Sequence, residues 1–125
     1  MEIKIKIGDL SVNAELNDTM TAQKIVEILP FTSSFNTWGE EIYFSIPVTS
    51  VLDESAKEKV EPGDLGYWPT GKAFCIFFGP TPMSGPGEII PASAVNIVGR
   101  VKDDPKKFLD VICMNEVTVE AQSSK

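Results

Sequence analysis

Hydrophobic and polar residues alternate from the start of the chain. Ile3, Ile5 and Ile7 are separated by Lys4 and Lys6, Gly8-Asp9 follows, and Leu10, Val12, Ala14 and Leu16 are separated by Ser11, Asn13 and Glu15. A period of two places one set of side chains on one face of a strand, so the pattern predicts an N-terminal β-hairpin with one buried face. The period then changes. Ala22, Ile25, Val26 and Leu29 recur at helical spacing, with Asn17-Asp18-Thr19 supplying an N-cap and Pro30 a stop. A short amphipathic helix covering a sheet is expected.

Phe31 to Trp38 reads as a strand, Gly39-Glu40 as a turn, and Ile42, Phe44 and Ile46 alternate with Glu41, Tyr43 and Ser45 up to Pro47. The charged segment from Asp53 to Glu61 predicts a solvated loop or a short edge strand. A second hairpin flanks Pro69-Thr70-Gly71-Lys72, with strands through Leu65 to Trp68 and Ala73 to Phe78. From Gly79 to Pro91 four prolines and three glycines fall within thirteen residues, which forbids regular structure and marks a long loop of the kind that often carries a binding surface. Val95, Ile97, Gly99 and Val101 form a further strand. Asp104-Pro105 opens a second short helix through Phe108, Leu109 and Ile112, and Val117, Val119 and Ala121 form the last strand. About eight short strands and two helices predict a mainly β fold, a closed antiparallel barrel with the helices capping its ends.

The bulk composition narrows the function. With 125 residues and no linker or internal repeat, residues 1–125 form one domain around one core. A formal charge of −7 opposes binding to phosphate backbones, so nucleic acid is not an expected partner. No eighteen-residue apolar span exists, and the Ile/Lys alternation at the N-terminus lacks the apolar run of a signal peptide, so no membrane role is expected and a soluble cytoplasmic protein is. The chain has no histidine, which removes Ser-His-Asp and Cys-His catalysis, His-based zinc sites and the usual neutral-pH base. Cys75 and Cys113 each follow apolar residues and read as small buried hydrophobes. No metal or other cofactor is implied.

The densest chemistry lies in "GDLGYWPTGKAFCIFFGPTP", residues 63–82. Its Gly66 to Lys72 portion fits G-x-x-x-x-G-K, but Ala73 stands where a phosphate loop needs Ser or Thr, Pro69 lacks an N–H, and a strand follows in place of a helix. A hairpin turn accounts for the same letters. In the run after it, Phe74, Ile76 and Phe78 take one face while Cys75 and Phe77 take the other. One face is core; the other is covered by a helix or loop, or floors a binding site. Tyr67 and Trp68, amphipathic aromatics beside a Pro/Gly-rich loop, fit either core packing or a recognition surface. The acidic pairs Glu40/Glu41, Asp53/Glu54 and Asp103/Asp104 read as solvated charge or a helix cap. Glu41 differs because it shares a strand face with Tyr43 next to Trp38, which makes it a polar anchor beside an aromatic wall.

Three blocks then stand together: Thr37-Trp38-Gly39-Glu40-Glu41-Ile42-Tyr43-Phe44, the 63–82 stretch, and Pro91-Ala92-Ser93-Ala94-Val95-Asn96-Ile97-Val98-Gly99-Arg100-Val101. Together they resemble a family of small prokaryotic cyclophilin-like proteins of unknown function, across nearly the whole chain. The resemblance implies a closed eight-stranded antiparallel barrel with a helix at each end. Proline isomerases of the wider superfamily use an arginine in an F-H-R strand, a Q-G-G-D turn and a histidine, and this chain has none of them. Ile42 to Pro47 is similar to the F-H-R-x-I-P strand and would put Phe44 in the arginine's place, while the sole arginine, Arg100, falls in a strand similar to a structural one. Losing a charged donor of this kind costs on the order of 10²–10³ in rate.

The expected function is therefore a barrel that binds a small molecule or short peptide without efficient proline isomerase activity. The expected ligand-binding residues are Trp38, Glu41, Tyr43, Tyr67, Trp68 and Phe78, with Thr81 and Met83 from the Pro-rich loop. A slow isomerase, an enzyme using Glu41 as acid or base, and a non-enzymatic subunit of a larger complex are the alternatives.

Overall fold

A computed structural model describes residues 1–122. Its strands are β1 (Glu2–Ile7), β2 (Leu10–Leu16), β3 (Phe31–Ser34), β4 (Asn36–Thr37), β5 (Glu41–Ser45), β6 (Ala56–Lys57), β7 (Asp64–Trp68), β8 (Ala73–Phe77), β9 (Val95–Val101) and β10 (Glu116–Ala121). Among the described residues they form one ten-stranded antiparallel sheet in the order β3-β10-β1-β2-β9-β7-β8-β5-β4, with β6 added against β9. The mainly β, antiparallel expectation holds. The closed eight-stranded barrel does not follow from the hydrogen bonds, because the path is open between β3 and β4.

The opening has a local cause. The predicted strand from Phe31 to Trp38 is split at Phe35: the residues before it pair with β10 and those after it with β5. Phe35 itself is buried and its N–H donates to Asn115 O at 3.0 Å. The two terminal strands of the sheet are thus consecutive in the chain, joined by one residue, and the Phe31 and Phe44 rings pack across the gap with centroids 6.0 Å apart.

Both predicted helices are present, and both are shorter than expected. In α1 (Met20–Glu27) the Thr19 hydroxyl accepts from Ala22 N–H at 3.2 Å, while Thr21, Ala22 and Ile25 bury the inner face. The Leu29–Pro30 peptide that follows is cis. Residues Pro105–Asp110 form a 3₁₀ helix, capped by Asp104 and buried only through Phe108. A single anchoring side chain cannot hold a longer amphipathic helix in place, so Ile112 and Cys113 come out exposed. Cys113 is therefore no buried hydrophobe, whereas Cys75 is. Among the described residues no helix is long and apolar enough to cross a membrane.

The apolar side chains divide into two groups. The larger lines one side of the sheet and includes Ile3, Ile5, Val12, Ile42, Phe44, Leu65, Tyr67, Phe74, Ile76, Phe78, Phe108 and Val119. Phe44 and Phe74 stack at 5.3 Å in its centre. The smaller lies on the opposite side of β5, β7 and β8, where Ala73, Cys75 and Phe77 meet Val60, Ile89 and Val95, with Tyr43, Trp68 and Ile97 half-buried at its margin. Strand β8 thus serves both, since its residues alternate between the two sides. Loop residues cover part of this outer side, and a cavity opens beside it against β5 and β7.

Candidate functional site

Four of the eight expected site residues converge on that cavity. It has a volume of about 260 Å³ and is lined by Trp38, Glu41, Tyr43, Trp68, Pro91, Ala92 and Val95. Strand β5 presents Glu41 and Tyr43 from one face, because Ile42 and Phe44 occupy the other in the main core. Strand β7 presents Trp68 by the same alternation. The segment that leads into β9 closes the remaining side with Pro91 and Ala92, joined by Val95 at the start of β9.

The turn before β5 sets the position of Trp38. Gly39 has φ +61°, and a Cβ there would lie 2.8 Å from both Pro80 O and Thr81 Cα. Only glycine accepts both the left-handed backbone and the close approach. The turn is then pinned to the start of the Pro-rich loop: Glu40 N–H donates to Pro80 O at 2.9 Å, Phe78 N–H to Glu40 O at 3.0 Å, and Trp38 N–H to Glu41 O at 2.9 Å. Trp68 is held at two edges. Its ring lies over Gly71, whose missing side chain makes the room, and its indole Nε1–H donates to Ser93 Oγ at 2.6 Å.

Electrostatically the site is one acid in an aromatic frame. Glu41 is only 6% exposed. Burial raises its carboxyl from the ordinary 4.5 to about 7, opposed only by the thiol of Cys75 beside it. Cys75 is itself pushed well above its usual range, first by burial and then by the neighbouring carboxylate, so it stays a neutral thiol. Among the described residues no Lys or Arg lines the cavity, and no group of three or more His, Cys, Asp or Glu is placed to hold a metal ion.

The other four expected residues lie elsewhere. Tyr67, adjacent to Trp68, points the opposite way into the main core, is fully buried, and donates its hydroxyl to Val48 O. Phe78 packs there against Phe108, with ring centroids 5.8 Å apart. Thr81 staples the Pro-rich loop: its hydroxyl donates to Ile90 O and its N–H to Ser84 Oγ. Met83 is exposed and lines an open groove with Glu58, Lys59 and Ile90, on the other side of Pro91 and Ala92, which border both spaces. Of the Gly79 to Pro91 loop expected to carry a binding surface, Pro91 lines the cavity, and sequence reasoning missed Ala92 and Val95 beside it. The clustering of Pro91 with Ala92 at the end of the Pro-rich loop was the available signal.

The chain belongs to the cyclophilin-like family. The family model matches residues 1–120. The solution structure of a hypothetical protein from Archaeoglobus fulgidus is similar at 38% identity, covering 98% of this chain and 95% of that one with a TM-score of 0.79. The structure of McbB in complex with tryptophan shares the fold at 15% identity and a TM-score of 0.72, and 98% of this chain spans 45% of that one. Comparison with curated proteins gave no match. In this cyclophilin-like chain Phe44 is buried in the main core. Arg100 is engaged away from the cavity, with Nη1 on Asp64 Oδ1 at 2.6 Å and Nη2 on Pro62 O at 3.1 Å.

Proposed function

We propose that this cyclophilin-like protein binds a small ring-bearing molecule in the cavity framed by Trp38, Glu41, Tyr43 and Trp68, and that it does not catalyse proline isomerisation efficiently. The observation that carries the reading is the meeting, outside the main core, of three amphipathic aromatics with one buried carboxyl. Binding pockets characteristically combine an apolar lining with a few placed polar groups. The size is informative as well. A cavity of roughly 150 Å³ accommodates benzene, and drug-sized ligands occupy roughly 300–1,000 Å³, so about 260 Å³ suits one or two fused rings rather than several peptide residues. McbB was solved with tryptophan, a molecule of that size class. Against isomerase activity stand the burial of Phe44 and the engagement of Arg100 by Asp64, which leave no arginine to stabilise a twisted amide.

The test is NMR observation of the Trp38 and Trp68 indole signals during titration with a panel of mono- and bicyclic aromatics, alongside exchange spectroscopy on X-Pro peptides. Both indole signals are expected to move with a ring compound, and Trp68→Ala is expected to abolish the response in a chain that remains folded. Indole signals unmoved by the entire panel, or accelerated cis/trans exchange in the peptides, would overturn the reading.

A further inference from the structure

The chemistry of the lining also selects among ring compounds. Trp38, Tyr43 and Trp68 line the cavity, and the π-systems of such rings attract cations. The only charged side chain in the lining is an acid, Glu41, and no basic residue among the described ones lines the cavity to meet an anion. The chain as a whole carries −7, a field that concentrates cations at its surface and repels carboxylates. A carboxyl buried without a basic partner is also an uncompensated cost to the folded chain, and a ligand cation removes it.

Resting on the binding reading above, we propose that the cavity selects an ammonium group: its ligand is a small aromatic amine whose ring is held by Trp38, Tyr43 and Trp68 and whose charged nitrogen pairs with Glu41. The ammonium donates to the carboxylate, and at neutral pH and below the Glu41 proton is released to solvent as the pair forms. The titratable side chains facing Glu41 are Cys75 from β8 and Tyr43 from β5 itself. Trp38, Trp68 and the residues ahead of β9 do not titrate. Burial keeps the Cys75 thiol neutral throughout, so Glu41 is the group that makes amine binding pH-dependent. Its carboxyl, raised to about 7 in the empty cavity, must ionise to pair, so amine affinity rises between pH 5.5 and 8.

Isothermal titration with 2-phenylethylamine, 2-phenylethanol and 3-phenylpropionate at pH 5.5 and 8 reads this directly. A charge-assisted hydrogen bond predicts that the amine binds about 10- to 100-fold more tightly than the alcohol at pH 8. The advantage should shrink toward unity at pH 5.5, and in Glu41→Gln at both pH values. Equal affinity for amine and alcohol at pH 8, or preference for the propionate, overturns the ammonium assignment and leaves the cavity a binding site. Failure of all three probes, with Trp38 and Trp68 signals unmoved, overturns the binding reading and the ammonium assignment together.

Discussion

Replacing Glu41 with glutamine should stabilise the protein, and only at pH values where the parent carboxyl is strained. Folding moves this carboxyl from 4.5 to about 7 because burial disfavours its charge. Between those values the folded chain holds a proton that the unfolded chain has released, so stability falls as pH rises. Below about 4.5 both states are protonated and Glu41 contributes nothing; above about 7 the loss is complete. At about 1.36 kcal/mol per pH unit, the interval amounts to about 3 kcal/mol. Glutamine keeps the shape and does not titrate. The variant and the parent should therefore differ by a constant small amount at pH 4, and the variant should gain about 3 kcal/mol on the parent by pH 8. With an unfolding entropy of about 2.1 cal/mol/K per residue, 125 residues convert this to a rise of about 10 °C in relative melting temperature. Thermal denaturation followed by near-ultraviolet circular dichroism at pH 4, 5, 6, 7 and 8 measures it, and the difference between the two proteins cancels every other carboxylate. A gap that stays constant across this range would refute the claim that Glu41 is buried without a charged partner.

Two further outcomes separate core from cavity. Tyr67→Phe should lower stability by about 1 kcal/mol, read by urea denaturation, since it removes the hydroxyl's bond to Val48 O. It should leave the affinity of any ring ligand unchanged, and an affinity loss would return Tyr67 to the site. Gly39→Ala should cost roughly 2–3 kcal/mol through the left-handed φ and the collision with Pro80 and Thr81. It should also alter the fluorescence of Trp38, and a melting temperature within about 2 °C of the parent would contradict the close approach.

Period and punctuation made most of the sheet legible. The alternation of Ile3 to Ile7 and of Leu10 to Leu16 gives β1 and β2 almost to the residue, because one face is buried and the other wet. Where both faces are apolar the pattern loses its sign. Tyr67 and Trp68 are equally aromatic neighbours on one strand, and nothing in their order says that the first enters the main core and the second the cavity. Phe78 was ambiguous for the same reason. Asn96 also escaped notice as one polar residue in an apolar strand. It is fully buried, accepts from Asp53 N–H at 2.9 Å and donates to Val51 O at 2.9 Å and Thr21 Oγ1 at 3.2 Å. Its meaning depends on a segment more than forty residues away, which local spacing does not encode. The contribution of Pro91, Ala92 and Val95 to the cavity depends in the same way on tertiary approach. Glu41 was visible earlier because a strand's period of two ties it to Tyr43 without any knowledge of the rest.

The separation of apolar residues onto two sides of β5, β7 and β8 has an evolutionary consequence. Residues such as Phe44, Phe74 and Tyr67 hold the sheet together from one side. Trp38, Tyr43, Trp68, Ala92 and Val95 shape the space on the other. Substitutions that resize or recharge that space leave the interdigitation of the main core intact, so descendants of one such frame are free to diverge in what they hold while keeping the same architecture. A library varied at Trp38, Tyr43, Trp68 and Ala92 would sample that divergence in the laboratory while the main core and the fully buried Val95 stay as they are.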